Sequence, residues 1–225
     1  MDYDLMKNNK VNISGEVVSE LEFTHSICNE GFYEFDLKVT RLSDTYDIIP
    51  VTISERLLQE YPISKGDMIS GSGQFRSYNK LVDGKSKLML TVFLRELMPY
   101  NENDNPNHIE IVGYVCKEPV FRTTPFKREI SDVLLAVNRC YNKSDYLPCI
   151  AWGRNARFVK NFNIGDKVVV QGRIQSRDYQ KKVNDELITK TAYEVSLNKI
   201  ELIKEEVDVD TMETTVGVLE NYYVR

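Results

Sequence analysis

The side chains that could carry covalent or metal chemistry are few, and their spacing does not suit it. Cys28, Cys116, Cys140 and Cys149 form no C-x-x-C pair, and His25 and His108 do not join them at metal-ligand spacing. Zinc and a disulfide framework are therefore not expected, and the cysteines read as free thiols. The chain also has no G-x-x-x-x-G-K-[ST] phosphate loop, no G-x-S-x-G elbow and no H-E-x-x-H pair, so neither an enzyme nor a cofactor is expected. What it does supply is non-covalent chemistry. Tyr141, Tyr146, Trp152 and Tyr179 are interleaved with Arg122, Lys127, Arg128, Arg139, Lys143, Arg154, Arg157, Arg173, Arg177, Lys181 and Lys182. Flat π-faces, each worth about 1–3 kcal/mol when a base stacks on it, and cations that track phosphates are what holding a nucleic-acid single strand requires. Each aromatic has a plainer role available. Trp152 closes the apolar run Cys149-Ile150-Ala151-Trp152 and suits a core as well as a platform. Tyr141 and Tyr179 sit among polar and charged neighbours, where burial is harder.

Charge is distributed to match. Residues 1–106 hold 11 lysines and arginines against 17 acids, residues 107–200 hold 16 against 10, and residues 201–225 hold 2 against 7. A net charge of -5 thus conceals one basic module between acidic flanks, as expected of a polyanion binder. Acidic flanks also serve solubility. No run approaches the roughly 18 apolar residues that cross a membrane, and the first ten residues lack an apolar signal region, so a cytoplasmic protein with no membrane partner is expected.

The elements that must position these residues repeat. At 225 residues the chain suits two domains of roughly 100 residues each. Residues 101–107, NENDNPN, contain nothing apolar and read as an exposed linker between residues 1–100 and 108–203. On either side, residues 11–17 (VNISGEV) align with residues 109–115 (IEIVGYV), 98 positions on. Phe35–Val39 maps onto Val133–Val137, Pro50 onto Pro148, Gly66-Asp67 onto Gly165-Asp166 and Gly73 onto Gly172. This is an internal duplication. In the second copy, strands are expected near 108–116, 131–140, 146–152, 167–176 and 191–203, with a short helix over 155–162; the first copy places its helix at 54–61. The fold class is therefore all-β, two tandem five-stranded barrels, each with a short helix between strands 3 and 4. That is the element order of an OB-fold.

The second unit resembles the bacterial single-stranded DNA-binding protein family. The likeness is carried by residues 107–122 (NHIEIVGYVCKEPVFR), Leu135-Ala136-Val137-Asn138-Arg139, residues 147–156 (LPCIAWGRNA) and residues 165–174 (GDKVVVQGRI), in that order and over about 95 residues. The resemblance implies a strand-coating protein for DNA replication, recombination or repair. It also implies stacking roles for Tyr141, Tyr146, Trp152 and Tyr179, with tyrosine standing at three positions where the family uses tryptophan. Family members typically present four OB-folds, so a two-unit chain implies a homodimer.

The first unit resembles the family less. Opposite Tyr141, Tyr146 and Trp152 it has Ser43, Ile48 and Ser54, and only Tyr78, with Arg76 and Lys80 beside it, matches Tyr179. It reads as a weak strand binder or a structural copy. Residues 204–225 form an acidic tail ending in Tyr222-Tyr223-Val224-Arg225, without the family's partner-recruiting tip, although replication or repair proteins remain expected partners. The rival reading is a tandem OB-fold interaction module, such as a primosome accessory.

Overall fold

A computed structural model describes residues 7–41, 43–82, 84–183 and 186–203, so the acidic tail lies outside the described residues. The first unit consists of β1 (Asn9–Val17), β2 (Glu22–Ile27), β3 (Glu30–Thr40), β4 (Tyr46–Ser54), α1 (Glu55–Glu60), β5 (Met68–Val82) and β6 (Lys85–Met98). The second repeats it as β7 (Asn107–Val115), β8 (Val120–Thr123), β9 (Glu129–Arg139), β10 (Lys143–Trp152), α2 (Arg154–Val159), β11 (Lys167–Val183) and β12 (Glu186–Ile203). Alternation drives the strands: β7 buries every second residue, so Ile109, Ile111 and Val115 enter the core while Glu110 and Tyr114 face outward.

In each unit the pairings close into a circuit. β1 pairs with β5, β5 with β6, β6 with β4 in parallel, β4 with β3, and β3 returns to β1. The second unit repeats the circuit through β7, β11, β12, β10 and β9. A five-strand circuit with its helix between the third and fourth strands is the expected OB-fold order. Each circuit needs a glycine where two backbones nearly touch. A Cβ on Gly73 would sit 2.2 Å from the Phe93 carbonyl oxygen, and one on Gly172 would sit 2.2 Å from that of Ser196. Both glycines stand at a β-bulge.

Two features depart from the sequence expectation. A sixth short strand, β2 or β8, pairs along the edge of each unit, and the last hairpin runs well past the expected limits, to Val183 and from Glu186. All six residues of β2 and all four of β8 are exposed, so no core face imposes an alternation from which such strands could be read. The stretch 101–107 is also shorter as a linker than it looked. Asn107 is buried as the first residue of β7, where its amide donates to the Ile174 carbonyl (2.7 Å) and accepts the Ile174 N–H (2.9 Å). Asn9 does the same for Phe75 at 2.7 and 3.0 Å. Each side chain supplies a rung to the next strand just past the bulge.

The units are joined edge to edge. β1 and β7 pair antiparallel with Val11 opposite Ile109, its own counterpart in the duplication, so a pseudo-two-fold axis passes between them. The hydrogen bonds about that axis are reciprocal. Asp145 accepts the Ser77 N–H at 2.7 Å, and Asp47 accepts the Ser176 N–H at 2.7 Å. Both carboxylates are about 1% exposed or less, and arginines attend them: Arg41 at 2.5 Å and Arg173 at 3.5 Å on Asp47, Arg139 at 3.3 Å on Asp145. Burial nonetheless pushes the Asp145 carboxyl above the ordinary carboxylate range, against the pull of Ser77 and of Arg139 and Arg76.

Candidate nucleic-acid interface

All four aromatic residues singled out in the second unit face outward. Tyr141 stands on the three-residue turn between β9 and β10 with a left-handed backbone (φ 63°), 85% exposed. Such a conformation is unfavourable for a bulky residue and presents the ring to solvent. Tyr146 lies on the seam between units, its backbone N–H donating to Ser77 Oγ at 2.8 Å. Tyr179 lies on the protruding part of β11. Trp152 ends β10 with 37% of its surface exposed, and its indole N–H donates to Ser196 Oγ at 3.2 Å. Its ring therefore lies on the outer face and not in the core.

The cations divide into groups. Lys127, Arg128 and Arg157 gather with Trp152 around one open cleft of about 520 Å³, and a carboxylate already holds Arg157 (Glu129, 2.6 Å). Arg154 on α2 and Lys143 at the start of β10 are exposed. Others are already engaged by carboxylates: Arg122 by Asp132 in a bidentate pair (2.8 and 3.2 Å), Arg177 by Glu194 (3.4 Å), Arg139 by Asp145 of its own unit (3.3 Å) and Arg173 by Asp47 of the first unit (3.5 Å). Burial, and Arg41 nearby, lower the pKa of Arg173. The side chains of Lys181 and Lys182 lie outside the described residues.

The first unit holds a cleft of about 630 Å³, and it is aromatic. His25 stacks on Phe32 (centroids 5.1 Å apart, planes 19° apart), Phe32 leans on Phe93 at 5.8 Å, and Phe23 and Tyr78 stand 60% and 40% exposed at its sides. The Arg76 guanidinium lies 3.8 Å over the Phe93 ring and donates to Gln74 Oε1. Burial, with Arg139 and Arg95 adding to it, lowers its pKa to about 10. Arg139 reaches this cleft from the second unit.

Sequence comparison missed this aromatic set because the duplication keeps the place and changes the strand. In the second unit Trp152 pairs opposite Ile130 and bonds Ser196; in the first, Ser54 pairs opposite Phe32, and Phe93 occupies the position of Ser196. Matching Trp152 against Ser54 thus finds nothing, although the ring density returns from β3 and β6. The pairing of Tyr78 with Tyr179 is likewise two residues out. The reciprocal bonds of Ser77 and Ser176 place Tyr78 opposite Arg177 and Lys80 opposite Tyr179.

Outward aromatic rings flanked by cations on OB-fold circuits make an arrangement suited to flat ligands that carry negative charge. Residues 106–203 match the single-strand binding protein family. Single-stranded DNA-binding protein 1 of Staphylococcus aureus (strain COL) is 34% identical over 83 residues, which are 34% of this chain and 50% of the relative. Single-stranded DNA-binding protein A of Bacillus subtilis (strain 168) is 34% identical over 83 residues, 34% of this chain and 48% of the relative. The chain spans about half the length of these curated relatives. The crystal structure of the wild-type single-stranded DNA binding protein from Thermus aquaticus superposes with a TM-score of 0.71 at 18% identity, over 88% of this chain and 93% of that one, a likeness of fold. Among the described residues no helix is long and apolar enough to cross a membrane, and no three His, Cys, Asp or Glu residues gather to hold a metal.

Proposed function

We propose that this chain binds single-stranded DNA without strong sequence preference, by base stacking and phosphate contacts, in DNA replication, recombination or repair. The observation that carries the proposal is the outward display of Tyr141, Tyr146, Trp152 and Tyr179 on a unit that matches this family, with Lys127 and Arg128 beside Trp152. An interior aromatic cannot stack a base, and an aromatic held on the surface leaves apolar area in water that a ligand would cover.

Two copies of the chain would present four OB-folds. The β1–β7 pairing already uses the edges through which the units meet, so a homodimer must form through another face. Light scattering giving twice the 26.1 kDa chain mass would support it, and the single-chain mass would remove it.

The binding test is fluorescence anisotropy with a labelled 35-mer of dT and a matching duplex, at low and moderate salt, with Trp152 emission followed in parallel. Salt-sensitive preference for the single strand with Trp152 quenching is expected. Equal binding of strand and duplex at both salts would overturn the reading in favour of a protein-interaction module.

A further inference from the structure

The cleft of the first unit is not a second copy of the cleft beside Trp152. Its charges nearly cancel, since Glu22 and Glu34 line it together with Arg76, Lys80 and Arg139. A groove that followed phosphates alone would exclude those carboxylates.

Their placement is costly. Glu22 and Glu34 are direct cross-strand partners on β2 and β3, a like-charge pair that destabilises a sheet. In the second unit the counterpart of Glu34 is Asp132, across from Val120, and Arg122 neutralises it in a bidentate pair. The first unit has no such arginine, because His25 stands across from Phe32 where Arg122 stands across from Ile130, and His25 is stacked on that ring. Glu34 is half-buried, and burial, followed by Asp36 and Glu22, raises its pKa against the pull of Lys80. The half-buried Arg76 guanidinium lies 3.8 Å over the Phe93 ring centroid in the same cleft. A stacking plane, a donor and an acceptor therefore converge, and together they meet the demands of one flat heterocycle with a mixed donor and acceptor edge.

We propose that the first unit's cleft is a base-reading subsite. A nucleobase of the bound strand stacks against the Arg76–Phe93 pair, and Glu34 accepts a hydrogen bond from its exocyclic amino group. Cytosine offers that amine, and a carboxylate is its matching acceptor; thymine presents a carbonyl oxygen at the same place and is disfavoured. The proposal rests on the single-strand reading above and adds selectivity to it.

The test uses the full chain at pH 8 with labelled 35-mers of dC and dT at matched salt. A carboxylate reading one amine in an open cleft should favour dC by about tenfold. In Glu34→Gln, whose amide can turn its N–H to thymine or its C=O to cytosine, dT should gain on dC and the ratio should fall to near one. Phe93→Ala should weaken dC more than dT. A dC to dT ratio within twofold in the unaltered chain, or a ratio that survives Glu34→Gln, overturns the base-reading subsite while strand binding itself stands. Binding of neither strand overturns both.

Discussion

Trp152→Ala removes a platform whose contribution can be worked from its exposure. An aromatic of this size offers roughly 150–250 Å², and 37% of Trp152 is exposed. A stacking base would cover about 55–90 Å² of it, contributing about 1.4–2.3 kcal/mol at roughly 25 cal/mol per Å². The loss in dT binding should therefore be about 10- to 50-fold, inside the range usual for one stacked base. Salt sets this apart from a charge effect. Stacking releases no counterions, so the slope of log affinity against log salt should not change, whereas Lys127→Ala or Arg128→Ala should each flatten it by about 0.7. Trp152→Phe keeps a ring and should recover most of the loss. Anisotropy titrations at three or more salt concentrations read all of this, with urea unfolding to confirm that each variant folds. A folded Trp152→Ala chain with unchanged dT affinity, or with a shallower salt slope, would refute the stacking role.

Other expectations concern the seam and the barrels. Asn107→Ala strands the N–H and C=O of Ile174, which is fully buried, and should cost about 2–5 kcal/mol in urea unfolding; a loss below about 1 kcal/mol would mean that water replaces the amide. Gly172→Ala drives a Cβ to 2.2 Å from the Ser196 carbonyl oxygen and should destabilise severely, while Gly165→Ala, strained only by its φ of +96° with nothing within 4 Å, should cost about 1 kcal/mol. Equal melting temperatures for these two variants would contradict the close approach. The raised pKa of Asp145 means that the folded chain holds this proton more tightly than the unfolded one, so its contribution is most favourable below the ordinary carboxylate range and is lost as pH rises through the folded value. The stability of the unaltered chain relative to Asp145→Asn should thus fall as pH climbs out of the acid range, and a pH-independent difference would show that the carboxyl titrates normally.

The sequence by itself determined the barrels and their duplication. Alternation in 109–115, the glycines at 73 and 172 and the turn pairs at 66–67 and 165–166 are local signals, set by which faces are buried and where two backbones touch. It also marked Tyr141 and Tyr179 as exposed, because polar neighbours make burial costly. Strands β2 and β8 were not legible, since a strand exposed on every residue has no periodicity. Only the tertiary structure decided the rest. Trp152 faces outward because the closed circuit leaves the end of β10 on the outer face, which an apolar run cannot reveal. The ring set of the first cleft comes from β2, β3, β5 and β6, strands brought together by pairings up to 61 positions apart, such as Phe32 with Phe93. Asp47 and Asp145 look like ordinary turn-proximal acids along the chain, and only the antiparallel meeting of β1 and β7 buries them against the opposite unit. Side-chain pattern reports one strand's own two faces; what lies across a barrel or across a two-fold seam is fixed by register, and register exists only once the strands have paired.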